Sequence, residues 1–103
     1  MSNDAGTGTH HQFLAIQHDL EANRFSVLVA GETGFLHYSR RNNVLSIDHT
    51  VVPDAIGGRG IAGQLVRAAF DYARDAGLKV APRCPYADTW LARHPQYAHL
   101  RVD

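Results

Sequence analysis

The stretch from His49 to Leu78, HTVVPDAIGGRGIAGQLVRAAFDYARDAGL, constrains this chain more than any other segment. A β-branched run at Val51 and Val52 stops at Pro53. Gly57, Gly58, Arg59 and Gly60 follow, and an amphipathic helix begins without a linker. A strand that runs through a glycine-rich turn straight into a helix makes an anion site. Backbone N–H groups without partners converge there, and the helix dipole favours negative charge. A phosphate or pyrophosphate is the natural guest of such a turn. A tight strand-to-helix connection with nothing bound would use the same glycines, so the rest of the chain has to decide between the two.

The spacing excludes the better-known phosphate loops. A Walker A loop needs Lys and then Ser or Thr after its last glycine, but Ile61 and Ala62 follow Gly60. Gly58, Gly60 and Gly63 satisfy G-x-G-x-x-G, yet the next strand-like segment, LKVAPRCP, has no carboxylate to hold a ribose. A nicotinamide cofactor is therefore not expected.

Periodicity places the remaining elements. Gln12 to His18 reads as a first strand. Arg24 to Ala30 reads as a second, because Phe25, Val27 and Val29 alternate toward one face. Gly31 to Gly34 is expected to connect it to a strand over Phe35 to Arg41, and Arg41-Asn42-Asn43 to turn into a fourth strand over Val44 to Val52. The helix should run from about Gly60 to Ala76. Ile61, Leu65, Ala69 and Ala73 lie at i, i+4 spacing, with Ala62, Val66 and Phe70 widening the apolar face. Arg67 and Asp71 are spaced to pair on the wet side. Gly77 suits the C-cap. Leu78 to Pro82 should return as a short strand parallel to the fourth. Pro85 suits the first turn of a short helix over Tyr86 to Arg93, with Cys84 near its N-cap and Pro95 beyond its end. The fold class expected is α+β: a mixed, mainly antiparallel sheet with a long helix after strand four and a short helix after strand five.

The chain has 103 residues, zero formal net charge and one cysteine. That length allows one domain and one modest core, expected over residues 12–103 behind a disordered lead-in over residues 1–11. The balanced charge gives no reason to expect nucleic acid or a membrane surface as partner. No apolar run approaches the roughly 20 residues of a membrane span. The first residues, MSNDAGTGTH, lack the form of a secretory signal. With a single cysteine no internal disulfide can form, and a cytoplasmic location is expected. The seven histidines invite a metal site. His10-His11 fall in the lead-in, His94 and His99 are separated by Pro95, and no His-x3-His or Cys-x2-Cys spacing exists, so none is expected.

Gly57-Gly58-Arg59-Gly60-Ile61-Ala62 resembles the pyrophosphate loop of the GNAT N-acetyltransferase superfamily, Q/R-x-x-G-x-G/A, at its glycine and alanine positions. Gly57 stands where that pattern has Gln or Arg. HTVVP before the loop, and GLKVAPRCPY and LARHPQY after it, are similar to a compact subfamily with a cysteine after the fifth strand. The resemblance is strong from Leu45 to Tyr97, weaker from Phe13 to Arg41, and absent in the first ten or so residues.

The resemblance implies an acetyl-CoA-dependent N-acetyltransferase that moves the acetyl group to an amine by direct attack in a ternary complex. It assigns the pyrophosphate to N–H groups of Arg59, Gly60, Ile61, Ala62 and Gly63. It assigns the thioester carbonyl to backbone of Val51 and Val52, where the fourth strand splays from the fifth. Only about one lysine-like amine in a few thousand is free base at neutral pH, so a base is useful. His49 is a candidate because imidazole exchanges its proton near neutrality. A strand histidine equally serves as a structural hydrogen-bonder. Its neighbour Asp48 should point to the opposite face. Cys84, beside Arg83 and a helix N-terminus, has the surroundings of a reactive thiol, and buried packing is its other reading. Trp90 lies on the helix where many such enzymes carry a tyrosine acid, with Tyr86 and Tyr97 nearby in sequence. The alternative from another class is a CoA-binding or acyl-CoA-binding module with little catalysis. The amine, a small molecule or a protein lysine, is not encoded in these residues.

Overall fold

A computed structural model describes residues 14–103; the expected lead-in, and Gln12 and Phe13 of the expected first strand, lie outside the described residues. One sheet carries five strands in sequence order: β1 (Gln17–Asp19), β2 (Arg24–Val29), β3 (Glu32–Arg41), β4 (Val44–Val51) and β5 (Lys79–Pro82). β1 to β4 pair antiparallel, and β5 returns parallel to β4. The long helix α1 (Ile61–Ala76) makes that crossover, and the short helix α2 (Pro85–Ala92) follows β5. This is the α+β architecture that the hydrophobic periodicity predicts.

The period-2 residues of the sheet meet the period-3.6 face of α1. Phe25, Val27, Leu36, Tyr38, Leu45, Ile47 and Val80 form one cluster with Ile61, Leu65, Val66, Ala69, Phe70 and Ala73. Each fully buried large side chain there contributes about 1.5–3 kcal/mol. α2 and a 3-10 segment, Pro95–Leu100, close the cluster from the far side of α1. The rings of Trp90 and Tyr97 lie 5.3 and 5.6 Å from that of Phe70. The final residues bridge to β5, where the Val102 N–H donates to the Val80 carbonyl at 2.8 Å.

Three local expectations need correction. The β2–β3 connection is a two-residue turn at Ala30-Gly31, both with positive φ (50° and 79°), rather than the four residues Gly31 to Gly34. Such a turn matches the strand twist. Gly34 instead lies buried within β3. A Cβ there would stand 3.2 Å from Ile61 Cγ2, so glycine lets α1 approach the sheet. The first strand covers only Gln17–Asp19, and Leu14 and Ile16 pack on the core without pairing as strand. Arg67 does not pair directly with Asp71. The Tyr97 hydroxyl stands between them, accepting from Arg67 Nη1 at 3.3 Å and donating to Asp71 Oδ1 at 2.5 Å. Burial, and then the hydrogen bond to Asp71, hold that hydroxyl protonated above the usual tyrosine range.

Candidate functional site

β4 changes character midway. Its pairing with β5 ends at Ile47↔Pro82, and the Arg83 and Cys84 N–H groups both donate to the Ile47 carbonyl, at 3.1 and 3.0 Å. The chain then turns away into α2. From Asp48 onward, the β4 edge that β5 had covered has no strand partner among the described residues. This is the splay expected beside Val51 and Val52, and their backbone lies along it. The Val51 side chain is 44% exposed opposite Phe35, and Val52 packs partly on the core.

The glycine loop stands at the end of this strand. The 3-10 turn Asp54–Ile56 anchors it through buried Ile56, and the Gly57 N–H closes back on the Asp54 carbonyl at 3.0 Å. Gly58 and Gly60 have φ of 75° and 73°. A Cβ at either would meet nothing within 4 Å, so backbone conformation rather than space selects glycine. Gly60 is the N-cap of α1, and the Gln64 N–H closes the first turn on its carbonyl at 3.2 Å. The preceding N–H groups of Ile61, Ala62 and Gly63 therefore have no intrahelical acceptor. No side chain caps them, and the first turn has no acidic residue. These are the groups a pyrophosphate needs. Arg59 is exposed at the loop tip. Gly63 has a second role, because a Cβ there would lie 3.3 Å from Tyr86 Oη and 3.5 Å from Trp90 Nε1. Glycine thus admits α2 against the start of α1.

Cys84 is the N-cap of α2. Its Sγ accepts from the Ala87 N–H at 3.4 Å and lies 3.5 Å from Thr50 Oγ1, and the residue is buried. Pro85 at the first helical position leaves no orphan N–H there. Cys84 therefore lies against β4 where β5 departs. Trp90 is absorbed by packing, stacked at 3.8 Å on His94 and at 5.3 Å on Phe70. Tyr97 is committed to Asp71, which leaves Tyr86, 43% exposed, as the open tyrosine of this region.

His49 belongs to a different group. The β3–β4 register runs Leu36↔Thr50, His37↔His49, then Tyr38↔Ile47, so Asp48 is the extra residue of a β-bulge. The bulge overturns the expectation that Asp48 and His49 point to opposite faces. Both meet His37: Asp48 Oδ2 lies 3.7 Å from its Nδ1, and the two histidine rings are 6.4 Å apart between centroids. Thr50 shares its register with buried Leu36 on the α1 side, so His49 lies on the opposite, open side of the sheet. The two expected catalytic residues are thus held apart, with Cys84 and Thr50 on one face and His49 with His37 and Asp48 on the other.

Sequence reasoning missed Thr50 and His37. Alternation from buried Leu45 and Ile47 would have put Thr50 on the open face, and only the bulge brings it to the side of Cys84. His37 required the cross-strand register. Among the described residues no three His, Cys, Asp or Glu side chains group to hold a metal ion. No described helix is long and apolar enough to cross a membrane.

Residues 24–100 match the profile of the GCN5-related N-acetyl-transferase family, and the chain belongs to that family. Protein NATD1 of Mus musculus is 32% identical over 90 residues, 84% of this chain and 82% of that protein. The Homo sapiens Protein NATD1 is 31% identical over 90 residues, 84% of this chain and 80% of that protein. Among solved structures, the NMR solution structure of a GCN5-like protein from Staphylococcus aureus superimposes with a TM-score of 0.68. It shares 28% identity and covers 86% of this chain and 88% of its own. The fold and the family thus define a GCN5-related N-acetyltransferase domain.

Proposed function

We propose that this domain transfers the acetyl group of acetyl-CoA to an amine by direct attack in a ternary complex, as a single domain over residues 12–103 in the cytoplasm. The observation that carries the proposal is the uncapped start of α1. Three N–H groups without acceptors, two left-handed glycines and no carboxylate in the first turn suit the pyrophosphate of CoA. When bound, acetyl-CoA supplies the activated thioester. The N–H groups of Arg59, Gly60, Ile61, Ala62 and Gly63 hold its phosphates, with the Arg59 side chain adding charge. Backbone of Val51 and Val52 polarises the thioester carbonyl from the β4 edge. Cys84 and Thr50 line the same side.

The acceptor amine, a small molecule or a protein lysine, arrives from the open face. There His49 removes its proton. No nucleic acid, membrane or metal takes part. Calorimetry with CoA, followed by thiol release from acetyl-CoA against a panel of amines, tests the proposal. Binding with turnover of one amine class is the expected result, and absence of CoA binding overturns it. Gly57 in place of Gln or Arg and the buried Trp90 favour a second reading, a CoA-binding module. Tight CoA binding with no turnover of any amine selects that one.

A further inference from the structure

β3 and β4 carry a polar group whose assembly depends on one extra residue. Without the bulge, alternation from buried Leu45 and Ile47 would keep Asp48 on the open face but send His49 to the α1 side, away from Asp48 and His37. With it, Asp48 Oδ2 stands 3.7 Å from His37 Nδ1, and His37 is the register partner of His49. The ring centroids of the two histidines are 6.4 Å apart. The face is open: His49 is exposed, and Leu28 and Val51 are 71% and 44% exposed on the same side. Arg24, the partner of His37 on β2, and Asp19, the partner of Arg24 on β1, also lie in this row; the Arg24 guanidinium lies over the Phe35 ring at 5.7 Å, and Asp19 Oδ1 accepts from the Glu21 and Ala22 N–H groups.

We infer that Asp48, His37 and His49 form one proton-handling unit on the open face of the sheet, in which Asp48 and His37 are positioning residues for His49. The inference rests on the proton-accepting role proposed for His49. An ammonium N–H bond breaks and an N–H bond forms on the neutral His49 ring, leaving the amine its lone pair. A positive charge on one ring disfavours one on the other, and the Asp48 carboxylate attracts it. With Nδ1 of His37 turned toward Asp48, its Nε2 remains for exchange with water. The proton then leaves across the open face without crossing the cofactor side.

Titration of the histidine ring resonances by NMR in the free protein tests the unit. Asp48→Asn removes the balancing charge and moves the His49 midpoint to lower pH by roughly half a unit, while His37→Asn removes a like-charged neighbour and moves it to higher pH by roughly a few tenths of a unit. CoA affinity by calorimetry stays within about twofold in both variants, because the glycine loop is untouched. The acid limb of the kcat/KM profile follows the same two opposite shifts. A loss of rate uniform across pH would mark a merely structural role and overturn the unit. A His49 midpoint that stays in place in both variants overturns it too, even if His49→Ala inactivates the enzyme, in which case the proposed function stands alone. Full activity in His49→Ala removes His49 from the proposed reaction and overturns the unit with it, while CoA binding and amine turnover leave the rest of the proposed function in place.

Discussion

The two halves of β4 are built from one continuous strand and do opposite work. Val44 to Ile47 is hydrogen-bonded on both edges, to β3 and to β5, with Leu45 and Ile47 fully buried. Asp48 to Val51 keeps β3 but loses β5, gains a bulge, and exposes His49 and Val51. The first half holds the sheet to α1. The second leaves main-chain edge, Thr50 and Cys84 on one side, and His37, Asp48 and His49 on the other. Polar chemistry collects where the sheet gives up pairing, because only there can a guest reach the backbone without competing with a neighbouring strand.

Substitutions in the two halves should therefore cost very different amounts. Ile47→Ala deletes a fully buried side chain between β3 and β5 and should destabilise by about 2–5 kcal/mol. Val51→Ala in the open half should stay within about 0.5 kcal/mol. Equal costs in thermal or urea unfolding would erase the distinction. Next in size is the loop beyond the open half. Gly60→Asp places a carboxylate at the N-cap of α1 on a left-handed backbone, and should weaken CoA binding at least about tenfold with the fold retained. Unchanged affinity in a folded variant would place the pyrophosphate elsewhere.

Cys84 sharpens the boundary between the halves. Cys84→Ala removes the cap on Ala87 and the contact with Thr50, and should cost about 1 kcal/mol, most of it recovered by Cys84→Ser. As the residue is buried, iodoacetamide should alkylate it more slowly than a free thiol at the same pH. An acetylated Cys84 that forms and decays at the turnover rate would replace direct transfer by a covalent relay.

The smallest effect lies at the far edge of the sheet, remote from the splay. His18 Nε2 is 2.7 Å from Tyr38 Oη, and its ring stacks on Phe25 at 3.9 Å. Burial lowers its pKa below the ordinary histidine value, and Asp19 partly offsets the shift. The folded state thus binds that proton less readily than the unfolded chain. Its stabilising contribution is present above about pH 6.5 and is lost as pH falls through the lower folded value. The melting temperature should drop on mild acidification, and His18→Gln should remove part of that drop. A wild-type protein with equal stability on both sides of that range would count against a stabilising role for half-buried, uncharged His18.

The order of elements, the parallel return of β5, the Gly77 cap and Cys84 at the head of α2 were all legible in the chain. They depend on short-range properties: a period of two or 3.6, the φ a glycine permits, the N–H a proline lacks. The glycine loop was legible for the same reason, since its left-handed turns and uncapped N–H groups are properties of consecutive backbone groups. Tertiary structure alone decided that Gly34 makes room for Ile61, that Gly63 makes room for Tyr86 and Trp90, and that Tyr97 separates Arg67 from Asp71. It also decided that one extra residue at Asp48 keeps His49 on the open face with Asp48 and His37 while Thr50 meets Cys84. Each of these depends on register between segments distant in sequence. A bulge carries no residue signature of its own, and shifting a strand by one position exchanges its two faces.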